Sequence, residues 1–143
     1  MSAPASPTEA TFDIGPFAFE RGGRVEAMRV GFVSAGRLNP ARDNAVLLLA
    51  ETSGHRHSYD ALIGPGLAYD TDRHFVVVVD PIGGGASTGP GDGLGRAFPP
   101  YTIRDMVRVQ HAFVTKGLKL DGLAAVGGSS MGSFQALEWG ILF

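Results

Sequence analysis

Unbroken apolar stretches alternate along this chain with polar, glycine-rich connectors, and each stretch is about as long as one strand or helix. Phe75-Val76-Val77-Val78-Val79 is the clearest of them. Four consecutive valines restrict χ1 and favour extended backbone. A strand apolar on both faces must be covered on both, so it is predicted to be a central strand of a parallel sheet, with helices alternating between strands. Ala45-Val46-Leu47-Leu48-Leu49-Ala50 is a second continuous apolar run of this kind. Upstream, Phe17-Ala18-Phe19-Glu20 and Met28-Arg29-Val30-Gly31-Phe32-Val33 flank Arg21-Gly22-Gly23-Arg24. Two extended segments around a glycine turn predict an antiparallel hairpin.

Helical spacing begins at Ile103. Ile103, Met106, Val107, Phe113 and Val114 make one apolar face. Thr102 is placed to cap that helix, with Asp105 as the acidic half of a capping box. Pro99-Pro100 prevents an earlier start and Gly117 follows the last turn, so the helix is predicted from Ile103 to about Lys116. A shorter helix is expected around Ser58 to Ile63, a strand over Leu123 to Val126, and a final helix over Met131 to Phe143. Residues 1–11 are expected to form a disordered leader, leaving 12–143 as a single domain.

Composition narrows the class. The 143 residues are 44% hydrophobic and 18% charged, which suits one packed domain. The net charge is −2 with a pI of about 6.0, and Arg21, Arg24, Arg29, Arg37 and Arg42 are scattered rather than clustered. Nucleic acid and anionic membranes are therefore not expected partners. The absence of cysteine excludes disulfides, thiolate metal sites and a cysteine nucleophile. Met1 to Ala10 has no apolar core and no Lys or Arg, so it reads as neither a signal peptide nor a membrane span. Runs such as Ala45 to Ala50 fall far short of the roughly 18 residues needed to cross a bilayer. A soluble, cytoplasmic protein is expected.

Candidate chemistry centres on Gly128-Ser129-Ser130-Met131-Gly132. This is a Gly-x-Ser-x-Gly nucleophile elbow in its required setting, after an apolar strand and before a helix. The turn needs small residues two positions either side of the serine. Ser130 has Gly128 and Gly132 there, whereas Ser129 would have Gly127 and the bulky Met131, so Ser130 is the candidate nucleophile. The backbone N–H of Met131, at the start of a helix, is a candidate oxyanion donor. A second donor is expected from the loop after the third strand, Glu51-Thr52-Ser53-Gly54, with Thr52 as the candidate. A carboxylate at Glu51 is unfavourable beside a developing anion unless it points away.

With the elbow placed, the order is hairpin, strand, short helix, strand, loop, helix, strand, elbow, helix. That is the first half of an α/β-hydrolase fold, truncated after the elbow helix. Other motifs read as structural. Pro81-Ile82-Gly83-Gly84-Gly85-Ala86-Ser87-Thr88-Gly89 lacks the lysine of a phosphate-binding loop and reads as a loop bordering the active-site mouth. His55 and His57 have no supporting ligand cluster and read as polar loop residues, with no metal site expected. His74 precedes a strand and His111 lies within a helix, neither placed as a general base for Ser130.

Six further segments carry a resemblance. They are Leu38-Asn39-x-Ala41-Arg42-Asp43-Asn44-Ala45-Val46-Leu47, Leu62-Ile63-Gly64-Pro65-Gly66, Asp70-Thr71-Asp72-Arg73-x-Phe75, Ser87-Thr88-Gly89-Pro90, Thr102-Ile103-Arg104-Asp105-Met106-Val107 and Gln135-Ala136-Leu137-Glu138-Trp139. In this order, from about residue 15 onward, the chain resembles the homoserine O-acetyltransferases. The resemblance implies transfer of an acyl group from acyl-CoA to Ser130 and then to a hydroxyl acceptor, with Met131 and Thr52 at the oxyanion positions. It implies no bound cofactor, acyl-CoA or a small ester as substrate, and allows a homodimer for full-length members.

Family members complete the triad with an Asp and a His from their C-terminal half, and no residue here matches either. The 143-residue chain alone is accordingly expected to be inactive and poorly soluble, and an inactive fragment is a third reading. Three departures stand out, and the shorter variant looks more like related hydrolases, with water as acceptor and an esterase as the outcome. The third-strand exit, Ala50-Glu51-Thr52-Ser53-Gly54, lacks the usual His-Ala-Leu-Thr-Gly. Gly128-Ser129-Ser130-Met131-Gly132-Ser133-Phe134-Gln135 replaces the usual Gly-Gly-Ser-Met-Gly-Gly-Met-Gln, and the stretch from Gly54 to Leu62 is short.

Overall fold

The computed structural model describes residues 7–143. Strands β1 (Thr8–Ala18) and β2 (Arg24–Ala35) form the expected antiparallel hairpin, paired from Thr8 opposite Ser34 to Ala18 opposite Arg24 with a shift in register on either side of Gly15. Its turn closes through Phe19 N–H to Gly23 C=O (3.0 Å), with Gly22 and Gly23 both at positive φ, a conformation that favours glycine. The strand begins earlier than the sequence suggests. Of the expected disordered leader, residues 1–6 lie outside the described residues, but Thr8 to Thr11 are paired with Gly31 to Ser34. Ladder hydrogen bonds to a long β2 override the small, polar composition of this segment, which corrects that expectation.

Strand β3 (Ala45–Leu49) is wholly buried. After it come a three-residue 3-10 turn at Asp60–Leu62 and two short parallel strands, β4 (Ile63–Gly64) and β5 (Tyr69–Asp70). The helix expected around Ser58 to Ile63 is therefore reduced to one tight turn. Gly64-Pro65-Gly66 cannot continue a helix, and no side chain caps Asp60–Leu62. Strand β6 (Phe75–Val79) is central as expected, but its two neighbours differ: β3 runs parallel to it and β2 antiparallel. With β7 (Ala125–Gly128) parallel to β3, the order is β1-β2-β6-β3-β7, a mixed sheet rather than a purely parallel one.

Both helices lie on one face. Helix α1 (Ile103–Ala112) has the predicted capping box: Thr102 Oγ1 accepts from Asp105 N–H (3.2 Å) and Asp105 Oδ2 from Thr102 N–H (3.1 Å). The buried Asp105 also accepts from Glu20 N–H at 2.9 Å, tying the hairpin turn to the helix start. The expected extension to Lys116 is present as a π turn over Phe113–Gly117. Thr115 Oγ1 donates back to His111 C=O there (2.8 Å), a bond that competes with the regular ladder. Helix α2 (Met131–Leu142) follows the elbow. Leu47, Leu49, Val77 and Val79 pack beneath the helices with Met106, Val107, Phe113 and Trp139. On the opposite face, Val46, Leu48, Val76 and Val78 are covered by Tyr59, Ile63 and Tyr69. Each strand of the centre thus feeds both layers, as its unbroken apolar pattern requires.

Two apolar surfaces are left open among the described residues. Strand β7 pairs with β3 alone and is a sheet edge. Phe134, Leu137 and Ile141, on one side of α2, are 62%, 68% and 71% exposed and fall at helical spacing. An unpaired edge beside such a stripe favours association. Expressed alone, the 143-residue chain is expected to elute from size exclusion as heterogeneous oligomers. A sharp monomer peak at micromolar concentration would contradict this.

Candidate active site

Parallel pairing brings the C-terminal ends of β3, β6 and β7 to one edge of the sheet, where ligands of open α/β sheets bind. From these ends leave the Glu51–Gly54 turn, the Pro81–Gly85 loop and the elbow. Ser130 sits between β7 and α2 at φ 49° and ψ −120°. A non-glycine residue in that conformation costs on the order of 1–3 kcal/mol and persists only where its surroundings enforce it. Here Gly132 N–H donates to Ser129 C=O (2.8 Å), while Ser133 donates to Ser130 C=O from its N–H (2.9 Å) and its Oγ (2.6 Å). Ser130 itself is exposed.

The glycines settle which serine the turn is built around. A Cβ on Gly128 would lie 2.6 Å from the Leu49 carbonyl oxygen, and one on Gly132 would collide with the same atom. A Cβ on Gly127 would meet only Leu48 Cδ2, at 3.7 Å, an ordinary contact. The two positions that must be glycine are those flanking Ser130, not those flanking Ser129.

Thr52 and Met131 line one cavity of about 450 Å³, together with His55, Gly83, Tyr101 and Met106. Ser130 is the residue before Met131 and stands at the turn, outside that lining. Neither the Thr52 nor the Met131 N–H has an acceptor among the described residues. Glu51, awkward in sequence, is accounted for: its Oε1 accepts from Ser58 Oγ at 3.2 Å, and its carboxylate folds over Gly54.

Two supports of this edge are not among the site residues read from the sequence. Asp80, fully buried after β6, accepts from Arg56 N–H (2.7 Å), Arg56 Nη1 (2.7 Å) and Ala86 N–H (2.8 Å). It thereby ties the loop after Thr52 to the Pro81–Ser87 loop. Arg56 Nε also donates to Glu9 (2.7 Å), holding that carboxyl below its usual range, while Glu9 and Asp80 raise the guanidinium above its own. The second support is a buried amide chain. Trp139 Nε1 donates to Gln110 (2.8 Å), Gln110 to Gln135 (2.5 Å), and Gln135 Nε2 reaches Met131 C=O (3.3 Å) and Ala50 C=O (3.5 Å). Asp80 follows a valine run and the two glutamines sit on helix faces, so nothing in their spacing marks them.

The four histidines lie in three places. His57 lies 3.0 Å from Asp60 and 3.5 Å from Glu9. His55 Nδ1 accepts from His57 N–H at 3.2 Å. No group of three or more His, Asp or Glu among the described residues is arranged to hold a metal. His74 precedes β6, at the opposite edge of the sheet from the elbow. His111 stacks on Phe143 (3.6 Å between centroids, 3° between planes), and burial pushes its pKa down. Phe143 ends α2, about 18 Å along the helix from the elbow at 1.5 Å per residue. Neither imidazole can reach Ser130.

The glycine geometry gives a direct test. Gly132→Ala is expected to cost about 3 kcal/mol or more, read as a fall in thermal midpoint by circular dichroism. Gly127→Ala is expected to stay within about 1 kcal/mol of the parent. Equal effects at the two positions would show that the turn is not built around Ser130.

Known proteins resemble this chain in sequence and fold. The alpha/beta hydrolase fold family matches residues 45–143. A homoserine O-acetyltransferase of Leifsonia xyli subsp. xyli is 43% identical over 150 residues, covering 91% of this chain and 37% of that protein. A homoserine O-succinyltransferase of Hahella chejuensis is 38% identical over 157 residues, covering 95% of this chain and 40% of that one. Among solved structures, an acetylester hydrolase from Corynebacterium glutamicum superposes with a TM-score of 0.90 at 31% identity, over 95% of this chain and 41% of that one. The chain spans about two fifths of the length of the curated relatives it matches. No helix among the described residues is long and apolar enough to cross a membrane. From the strand order, the elbow and these matches together, the chain belongs to the alpha/beta hydrolase fold family.

Proposed function

We propose that Ser130 is the nucleophile of an acyl-transfer reaction that passes through a serine acyl-enzyme. The observation that carries this is the strained, exposed Ser130 turn, with Gly128 and Gly132 both held against the Leu49 carbonyl. In the first half-reaction Ser130 Oγ attacks the acyl carbonyl carbon and its proton passes to a general base. The carbonyl electron pair moves onto oxygen, where the Met131 and Thr52 N–H groups donate to it, aided by the N-terminus of α2. Losing one such donor costs on the order of 3 kcal/mol in comparable sites. Collapse breaks the bond to the thiolate or alkoxide, which takes the proton from the base. A hydroxyl acceptor, losing its proton to the same base, then attacks the acyl carbon. The bond to Ser130 Oγ breaks as that oxygen regains the proton.

The donor is an acyl-CoA and the acceptor a small hydroxyl compound. The names of the relatives support this: acetyl- and succinyltransferases differ in the acyl group but share homoserine. No bound cofactor, nucleic acid or membrane takes part, and the setting is cytoplasmic. A second reading, hydrolysis of an acetyl ester, is favoured by the likeness to the Corynebacterium glutamicum acetylester hydrolase. The resemblance implies that the Asp and His of the triad come from the C-terminal half of family members, and neither is matched to a residue here.

Mass spectrometry after exposure to acetyl-CoA or p-nitrophenyl acetate tests the proposal. The chain alone is expected to form no acetyl adduct. Fused in frame to the C-terminal portion of the Leifsonia xyli transferase, it is expected to carry acetyl on the Ser130 peptide and to lose it in Ser130→Ala. A Ser130→Ala fusion that keeps full turnover would refute the nucleophile. CoA release beyond the one equivalent freed on acylation that requires homoserine indicates transfer, and such multiple-turnover release into water alone indicates the esterase.

A further inference from the structure

Tyr59 lies in the connector after the Thr52 turn, buried on the face of the sheet opposite the helices. Its ring is held by apolar contacts, among Val46, Leu48 and Val78 and edge-on to Tyr69 (6.1 Å, 82°). Its hydroxyl does something different. It donates to the Leu49 carbonyl at 2.9 Å and accepts from the Ser129 N–H at 3.0 Å. One oxygen atom therefore joins the last residue of β3 to the residue before Ser130.

Both bonds act on the strained turn. The Ser129 carbonyl is already fixed by Gly132 N–H (2.8 Å), so with Tyr59 on its N–H the peptide groups on both sides of Ser129 are held. The Leu49 carbonyl is the atom against which Gly128 and Gly132 pack, so the same hydroxyl also fixes the wall of the elbow. Ser129 Oγ lies 3.5 Å from it as well. Ser129 is engaged by Tyr59, and Ser130 is left to project from the turn.

We propose that Tyr59 is a positioning residue for the elbow, its hydroxyl clamping Ser129 N–H to Leu49 C=O so that Ser130 is held in its strained conformation. The proposal rests on the reading of Ser130 as nucleophile. Tyr59 acts on the turn and touches neither substrate nor Ser130.

Tyr59→Phe keeps the ring and removes the oxygen. Amide hydrogen exchange, resolved to single residues by mass spectrometry on the fused enzyme, is expected to speed up roughly tenfold at Ser129. The Leu47 to Leu49 amides are expected to keep their rates. Tyr69→Phe, which alters the neighbouring ring, is expected to leave Ser129 exchange unchanged. In the fused enzyme Tyr59→Phe is expected to lower kcat about tenfold with KM unchanged, the signature of misplacement rather than lost binding. Unchanged Ser129 exchange, acceleration spread evenly over Leu47 to Leu49, or an unchanged kcat would each overturn the clamp. A Ser130→Ala enzyme that still turns over would overturn the nucleophile instead, while leaving the exchange result standing.

Discussion

The whole candidate site depends on how closely the elbow approaches the end of β3. Gly128 and Gly132 sit against the Leu49 carbonyl oxygen with no room for a methyl group. That contact exists because β7 runs parallel to β3 and in register, Leu49 opposite Gly128. Close packing lets the chain reverse from strand to helix within two residues, and the reversal places Ser130 at positive φ. The strain is local, and the sheet supplies what maintains it.

The remaining supports converge on the same few backbone atoms. From the helix side, the Trp139–Gln110–Gln135 chain reaches Ala50 and Met131. From the opposite side, Tyr59 reaches Leu49 and Ser129. Asp80 binds the loops that leave β3 and β6 into one unit through Arg56 and Ala86. These are buried polar groups with their hydrogen bonds satisfied, the condition under which such groups add rigidity rather than cost. On the proposed function the Thr52 and Met131 N–H groups would need that rigidity, because a donor misplaced by an ångström contributes little to stabilising a developing charge.

Much of this was legible from residue pattern. Four valines in a row marked the central strand, and Thr102 with Asp105 marked the start of α1. Flanking glycines chose Ser130 over Ser129 as the residue at the tight turn by size alone. Other features were not legible. Thr8 to Thr11 read as a leader because their order comes from β2, not from their own side chains. The segment around Ser58 read as a helix because its glycine and proline stops come late, and because the burial of Tyr59 depends on the far face of the sheet. Likewise the antiparallel neighbour of β6 has no signature in β6 itself, since a strand buried on both faces looks alike whichever way its partner runs.

What the sequence determined by itself is therefore local: where the strands and helices lie, how α1 is capped, and which serine can occupy the tight turn. Each follows from steric size, φ preference or apolar spacing over a few residues. What only the tertiary structure decided is which distant groups meet there. Tyr59 and Ser129 are 70 positions apart, and Gln135 and Ala50 are 85 apart. Hydrogen bonds across such separations form only once the sheet has set the register, and side-chain patterns along the chain carry no record of them.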